Sequence, residues 1–404
     1  MLSYEAARQK VIEVAGKRLG NLPTEKIELK DALGRVLAEE TKADRDYPPF
    51  DRATRDGFAV RASDLAGQSK SLKLTGESKA GTAFEGKVGP GECVQIMTGA
   101  PVPAGADAVV MIEHTRGADN RIEFERAVHA GENIVPKGSE AKAGQALLTP
   151  GTQLGYAELA LTAQVGRTRA SVYRKPRVAI LSTGDEVVPI EQKPGPFAIR
   201  NSNSVSLAAQ TQLAGGAPVP LGNAPDREPE LRTLIERGLK EDILVLSGGV
   251  SAGKYDLVEN VLRDLGAEFY FDAIAIRPGR PAVFGVCRDT LVFGLPGNPV
   301  STMVTFELLV VPAMGLRSGL APRPLPLFKA RLAKPITQKA ALTHFLPALV
   351  SWTRGEATVE ELPWQGSGDI VSVVRANCFV VVHSAKLAMA AGEWADVLPR
   401  RGAM

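Results

Sequence analysis

The stretch from Leu244 to Asp256, reading LVLSGGVSAGKYD, joins an apolar run to a helical pattern through a glycine-rich turn, and its letters are compatible with three chemistries. Gly248, Gly253 and Lys254 have the spacing of a P-loop, whose backbone N–H groups cradle phosphates, but Tyr255 stands where a Ser or Thr hydroxyl would meet magnesium. Gly249, Ser251 and Gly253 spell the G-x-S-x-G of a nucleophile elbow, which requires an acid and then a histidine further along the chain. The third chemistry needs no side-chain nucleophile. A strand end, bare N–H groups and a helix N-terminus make an anion site, with Asp256 placed to cap the helix. The elbow fares worst: only His344 and His383 follow it, both in a separate C-terminal β region that is a poor architecture for a triad.

Other ligand-type residues recur at comparable places. Ser182, Thr183, Gly184, Asp185 and Glu186 follow one apolar run, and Asp226 precedes a helical pattern. Arg277, Pro278, Gly279 and Arg280 form a tight turn, and Pro296, Gly297, Asn298 and Pro299 another. Carboxylates, guanidinium groups and glycine turns on one rim can hold a divalent cation and the phosphates it bridges. Each piece also has a plainer reading: Asp226 and Asp256 as helix N-caps, Asp185 and Glu186 as a solvated turn, Arg277 and Arg280 as surface charges. The paired glycines Gly248 and Gly249 are harder to explain by packing, because they weaken a strand end unless something approaches the backbone closely.

These loops need a scaffold that gathers them on one edge. From Arg177 to about Leu316, apolar strand patterns (RVAILS, DILVLS, EFYFDAIAI and two short strands ending in LVFGLPGNP) alternate with helical ones. That order predicts an α/β unit with a largely parallel sheet covered on both faces, in which ligands sit at the carboxyl ends of the strands. Ahead of it, residues 3–19 carry Ala7, Val11, Val14 and Leu19 at helical spacing, and a short helix is expected to start at Asp31 and run through ALGRVLAEE. From about Ala43 to Glu140 short β-like runs broken by Gly and Pro suggest an inserted all-β domain, and QLGYAELALTAQ returns to a helix. Beyond the Pro-rich APRPLPLF, the runs ATVEEL, DIVSVV, CFVVVH and WADVL read as a second small β domain.

With 404 residues the chain is long enough for several cores, and its net charge of +3 gives no reason to expect a nucleic-acid partner. No apolar run reaches the length of a membrane span and the N-terminus lacks a signal peptide's apolar block, so no membrane role and a cytoplasmic location are expected. Cys93, Cys287 and Cys378 are too far apart for a C-x-x-C site, and the four histidines have no metal-ligand spacing.

Six stretches in order carry a resemblance over nearly the whole chain: FDRATRDGFAV (50–60), IMTGAPVPAGADAVV (96–110), STGDEV (182–187), SGGVSAGKYD (247–256), RPGRP (277–281) and GLPGNPVS (294–301). On these the chain resembles the molybdopterin molybdenumtransferase family, the bacterial MoeA proteins and the E domain of gephyrin. The resemblance implies a multidomain α/β plus all-β protein. Its parts are an N-terminal linker or dimerisation domain (1–43 and 141–173), an inserted Gly-rich β domain (44–140), a three-layer α/β molybdopterin-binding domain (174–321) and a C-terminal β-barrel-like domain (322–404). It implies a homodimer with the active site between the α/β domain of one subunit and the Gly-rich β domain of the other. The implied reaction inserts molybdate into adenylylated molybdopterin and releases AMP by hydrolysis, with Mg2+ or another divalent cation. Molybdopterin adenylylation, or a cofactor carrier that has lost turnover, are the alternatives.

Carried over to this chain, the resemblance makes Asp56, Glu186, Asp226 and Asp256 catalytic, with Glu186, Asp226 and Asp256 also holding the cation. It assigns substrate binding to Thr98, Thr183, Ser247, Gly248, Gly249, Ser251, Arg277, Arg280, Pro296, Gly297, Asn298 and Ser367, and brings Asp56 and Thr98 from the neighbouring subunit. Arg277 and Arg280 stand where many members have lysine, which keeps the charge and adds bidentate reach toward phosphate or molybdate. Gly138, Ser139 and Glu140 depart from a common Gly-Glu-Asp, Val135 and Pro136 occupy positions that are often arginine beside the retained Lys137, and Pro347 stands where an arginine is common. The adenylyltransferase and molybdoenzyme acceptors are the implied protein partners.

Overall fold

Alternate residues of a strand face opposite sides of its sheet, and in Arg177–Thr183 this sorts Val178 and Ile180 into one core and Ala179 and Leu181 into another. The neighbouring strand Ile243–Ser247 does the same with Ile243 and Val245 against Leu244 and Leu246. Both faces must therefore be covered, as the near-continuous apolar runs predict. Helices Glu228–Gly238 and Leu257–Asp264 cover one face through Leu231, Ile235, Val258 and Leu262. The other is covered by Ser202–Leu213, by Pro299–Arg317, and by the N-terminal helix Tyr4–Lys17, which contributes Ala7, Val11 and Val14 to the same core. Each large side chain fully buried there contributes about 1.5–3 kcal/mol. The computed structural model describes residues 1–20, 22–66, 71–118, 120–249, 257–338 and 342–403.

The six-stranded sheet runs in the order Ala217–Ala224, Arg177–Thr183, Ile243–Ser247, Thr290–Leu295, Val283–Cys287, Glu268–Phe271. Its first four strands run parallel, and Val283–Cys287 pairs antiparallel with both of its neighbours. The carboxyl ends of Arg177–Thr183, Ile243–Ser247 and Thr290–Leu295 thus open on one edge. Pro299–Arg317 is the one helix among the described residues long and apolar enough to cross a membrane, and 72% of its apolar window is buried inside the protein, so it is a core helix.

Residues 50–124 hold a second six-stranded sheet in which Gly57–Val60 lies between Ala108–Met111 and Glu92–Ile96, over a core that includes Phe58, Leu72, Val110 and Phe124. Strands Thr24–Glu28 and Arg169–Tyr173, which flank this region in sequence, pair antiparallel. The C-terminal sheet closes on itself, because Thr343–Thr353 pairs with both Glu356–Glu361 and Cys378–Val382.

Three local expectations are corrected. Residues 31–40 form no α-helix: a single 3-10 turn at Leu29–Asp31 gives way to backbone bonds from Gly34 to Leu154, Leu37 to Thr152 and Ala38 to Ser171. Gly34 at φ +75° interrupts a right-handed helix, and the long-range pairing outweighs a weak local periodicity. DIVSVV is helical over Ile370–Arg375, because Asp369 accepts from the backbone N–H of Ser372 at 3.1 Å and caps it. Finally, EFYFDAIAI divides between two sheets: Glu268–Phe271 stays in the α/β sheet, while Ile276–Arg277 pairs with Thr343 and His344 of the C-terminal sheet.

Candidate functional site

A cleft of about 640 Å³ opens at the carboxyl ends of the parallel strands. Its floor is backbone. Gly248 (φ +92°) and Gly249 (φ +64°) continue the strand Ile243–Ser247 in a left-handed turn, and the N–H of Gly248 donates to the carbonyl of Leu295 at 3.1 Å. A Cβ on Gly249 would lie 2.7 Å from Thr183 Oγ1 and 2.9 Å from Val258 Cγ2, so a side chain there requires a neighbour to move. The close-approach argument for these glycines therefore holds.

Asn203 braces the floor. Its Nδ2 donates to Ser247 Oγ at 2.8 Å and to the carbonyl of Gly297 at 2.7 Å, which uses both amide hydrogens and leaves Oδ1 buried without a partner among the described residues. Asn201 caps the helix Ser202–Leu213, its Oδ1 accepting from Ser204 N–H at 3.0 Å and from Ser182 Oγ at 2.9 Å. Thr183 is 4% exposed, and its Oγ1 likewise has no partner among the described residues. Buried polar atoms are usually satisfied, so two oxygens unmet by the described residues set this cleft apart, each with a desolvation cost of about 1–3 kcal/mol.

The acidic edge lies beside this floor. Glu186 lines the cleft and folds its carboxylate over Gly184, where a Cβ would come 2.5 Å from Oε2. Asn223 holds that loop by donating to the carbonyls of Gly184 (2.9 Å) and Val187 (3.1 Å). Asp226 directly precedes Arg227, the N-cap position of Glu228–Gly238, and that helix has no side-chain cap bond; Asp226 therefore does not cap it. Its backbone N–H donates to Asp185 Oδ1 at 3.1 Å, and desolvation, then Asp185 and Glu186, raise its pKa above the usual carboxylate range.

Of the other predicted residues, Thr183, Ser247, Pro296, Gly297 and Asn298 line the cleft with the two glycines. Ser367 accepts from Asn298 Nδ2 at 2.8 Å, which ties the C-terminal segment to the cleft wall. Arg277 and Arg280 are exposed, have no carboxylate partner among the described residues, and do not line the cleft, although the adjacent Pro281 does. Asp56 and Thr98 lie in the Gly-rich β region and bond to each other: Asp56 Oδ1 accepts from Thr98 N–H at 2.6 Å and from Thr98 Oγ1 at 2.8 Å, which lowers its pKa. Neither lines the cleft of its own chain. Ser251 and Asp256 lie outside the described residues.

Sequence reading missed Arg200, Asn201 and Asn203 as site residues. They appear as R-N-S-N at the start of a helix, where asparagine reads as a cap. Among the described residues Arg200 supplies the guanidinium that lines the cleft; its Nε donates to the carbonyl of Ile190 at 3.0 Å, and no carboxylate among them neutralises it.

Among the described residues no three His, Cys, Asp or Glu side chains are arranged to hold a metal ion. The chemistry of the donors still suits magnesium. Glu186, Asp226, Asp185 and the Thr183 hydroxyl are hard oxygens without a thiolate or imidazole among them, and Mg2+ usually takes one or two carboxylates, substrate phosphate oxygens and several waters rather than an all-protein cage.

Comparison with known proteins covers the same three regions. Residues 2–166 match the MoeA N-terminal region (domain I and II), residues 179–315 a probable molybdopterin-binding domain, and residues 329–399 the MoeA C-terminal region (domain IV). The chain is 35% identical to the molybdopterin molybdenumtransferase of Bacillus subtilis over 93% of its own length and 89% of the relative's. With the Synechocystis molybdopterin molybdenumtransferase the identity is 33%, over 97% of this chain and 98% of the relative. A crystal structure of a molybdopterin biosynthesis MoeA protein from Pyrococcus horikoshii superposes with a TM-score of 0.77 at 34% identity, over 97% of this chain and 98% of that one.

Proposed function

The chain belongs to the MoeA family of molybdopterin molybdenumtransferases, and from that premise we propose that molybdenum transfer takes place in the cleft built on Thr183, Glu186, Asn203 and the Gly248–Gly249 backbone. The activity is that of a transferase inserting molybdate into adenylylated molybdopterin, with hydrolytic release of AMP. The observation that carries the assignment to this cleft is the pair of buried oxygens unmet by the described residues, Thr183 Oγ1 and Asn203 Oδ1, on a backbone floor that admits no side chain.

In this reading the substrate's phosphates lie near Arg200, the cation among the described residues of the cleft. Asn203 Oδ1 accepts from a ligand N–H, because both of its own hydrogens are committed. Glu186 and Asp226 would hold the divalent cation, which would supply charge neutralisation for cleavage of the phosphoanhydride by water. Positioning and charge neutralisation supply most of the rate in such reactions. Arg277 and Arg280, fixed on the turn next to Pro281, attract the molybdate dianion toward the open edge.

The reading includes a homodimer in which Asp56 and Thr98 complete the cleft of the partner subunit. Their position outside their own chain's cleft is consistent with that arrangement. It also includes the four-part division given above, magnesium as the cation, and a cytoplasmic location. The acidic group missing at Ser139 is the motive for a turnover-free carrier, and adenylylation is disfavoured because the flanking regions as well as the α/β unit match family members. The test is AMP release by the purified protein from adenylylated molybdopterin: release that requires molybdate supports the assignment, and release indifferent to molybdate contradicts it.

A further inference from the structure

A second cavity, of about 430 Å³, shares no lining residue with the cleft and gathers cations from five separate parts of the chain. Arg8 comes from the N-terminal helix, Arg35 from the loop after the 3-10 turn, Lys175 from the approach to the first strand of the α/β sheet, Arg323 from the Pro-rich connection and Arg401 from the C-terminal tail. One carboxylate, Glu307, lines it with them. We propose that this cavity binds a small phosphorylated metabolite carrying at least two negative charges, at a site separate from molybdenum transfer.

Two of these five cations are already neutralised. Arg401 pairs with Glu307 at 2.6 Å, and Arg35 pairs with Glu25 at 2.5 Å while donating to the carbonyl of Tyr173 at 2.8 Å. The other three cations have no carboxylate partner among the described residues. Arg8 Nη2 donates to the carbonyl of Arg323, and Arg323 Nη1 donates to Gln153 Oε1 at 3.0 Å. These neutral acceptors fix the two guanidinium groups in place and leave their charge intact. Arg8 Nε is buried with no partner among the described residues, and burial lowers the Arg8 pKa.

Were these arginines only staples for the junction, neutral side chains making the same bonds would avoid the cost of crowding like charges in a partly desolvated space. Held guanidinium groups with free donors suit phosphate oxygens, and little ordering entropy remains to be lost on binding. The cavity's size falls within the roughly 300–1,000 Å³ of small-molecule sites. A phosphorylated metabolite satisfies the charge and the free donors together.

Titration calorimetry of inorganic pyrophosphate into the full-length protein at low salt tests the proposal. Saturable binding is expected, weakened about tenfold or more in each of Lys175→Gln and Arg323→Gln and weaker still for inorganic phosphate. Lys175 is exposed, so its variant keeps the fold, and the circular dichroism melting curve checks this for both. Binding should persist in Arg200→Gln, which removes a cation of the cleft. The proposal is overturned if the wild type binds no pyrophosphate, if neither Lys175→Gln nor Arg323→Gln weakens binding, if Arg200→Gln alone abolishes it, or if a polyglutamate peptide binds in place of pyrophosphate.

Discussion

The strand-end cleft and the Asp56–Thr98 pair are both polar, glycine-bordered and read from short motifs, yet they have opposite hydrogen-bond states. In the cleft, backbone and amide bonds are spent on holding the frame, and two buried oxygens, Thr183 Oγ1 and Asn203 Oδ1, stay unmet by the described residues. In the β region, Asp56 and Thr98 satisfy each other. One region keeps buried oxygens unmet within its own chain. The other holds a carboxylate in bonds that favour its ionised form, outside its own chain's cleft.

Breaking the cleft side should cost most. Glu186→Gln keeps the shape of a group that lines the cleft and removes its charge; we expect molybdate-dependent AMP release to fall about a thousandfold, a size typical for losing one electrostatic contact in a preorganised site. Quenched-flow measurement of AMP reads this directly, and binding of adenylylated molybdopterin should change far less. Asp56→Asn should fall about a hundredfold in the same assay, with only a small drop in melting temperature, because the side chain is exposed and loses only its bonds to Thr98.

Gly249→Ala sharpens the comparison from the backbone side. Its φ of +64° costs about 1–2 kcal/mol for a residue with a Cβ, and contacts of 2.7 Å to Thr183 Oγ1 and 2.9 Å to Val258 Cγ2 add to that. Denaturant unfolding should show the loss, together with weaker substrate binding. Gly99, beside Thr98 in the β region, has φ +83° with nothing within 4 Å and should show only the backbone cost when changed to Ala.

The smallest effect concerns titration. Thr98 lowers the pKa of Asp56 through its N–H first and its hydroxyl second, so Thr98→Val should raise that pKa partway back. A depressed carboxylate pKa contributes stability above the unfolded value that is lost as pH falls through the folded one. Asp226, raised by burial and by Asp185 and Glu186, has the opposite sign: its ionisation costs stability as pH rises from the unfolded toward the folded value. NMR titration of the two carboxylates should therefore show shifts in opposite directions.

The alternation of apolar strands and amphipathic helices made the α/β sheet legible, because a sheet buried on both faces leaves a continuous apolar run in each central strand. The glycine pair was legible too, since adjacent glycines weaken a strand end and are tolerated where the backbone must turn left-handed under close neighbours. Asn203 was not, because one asparagine at a helix start looks the same whether it caps or reaches 94 residues away to the carbonyl of Gly297. The failure at 31–40 has the same origin. Its bonds to residues 152–154 and 171 are non-local, and periodicity carries no information about them.

Mixing the two dead variants tests most directly whether the two regions meet across subunits. Glu186→Gln and Asp56→Asn proteins, each inactive alone, are to be dissociated, combined in equal amounts and reassociated before AMP release is measured. If Asp56 completes the partner's cleft, about half of the dimers are mixed and each has one of its two sites intact, so activity should recover to about a quarter of wild type. Activity that stays at the level of the separate variants would contradict a site shared between Asp56 of one chain and Glu186 of the other.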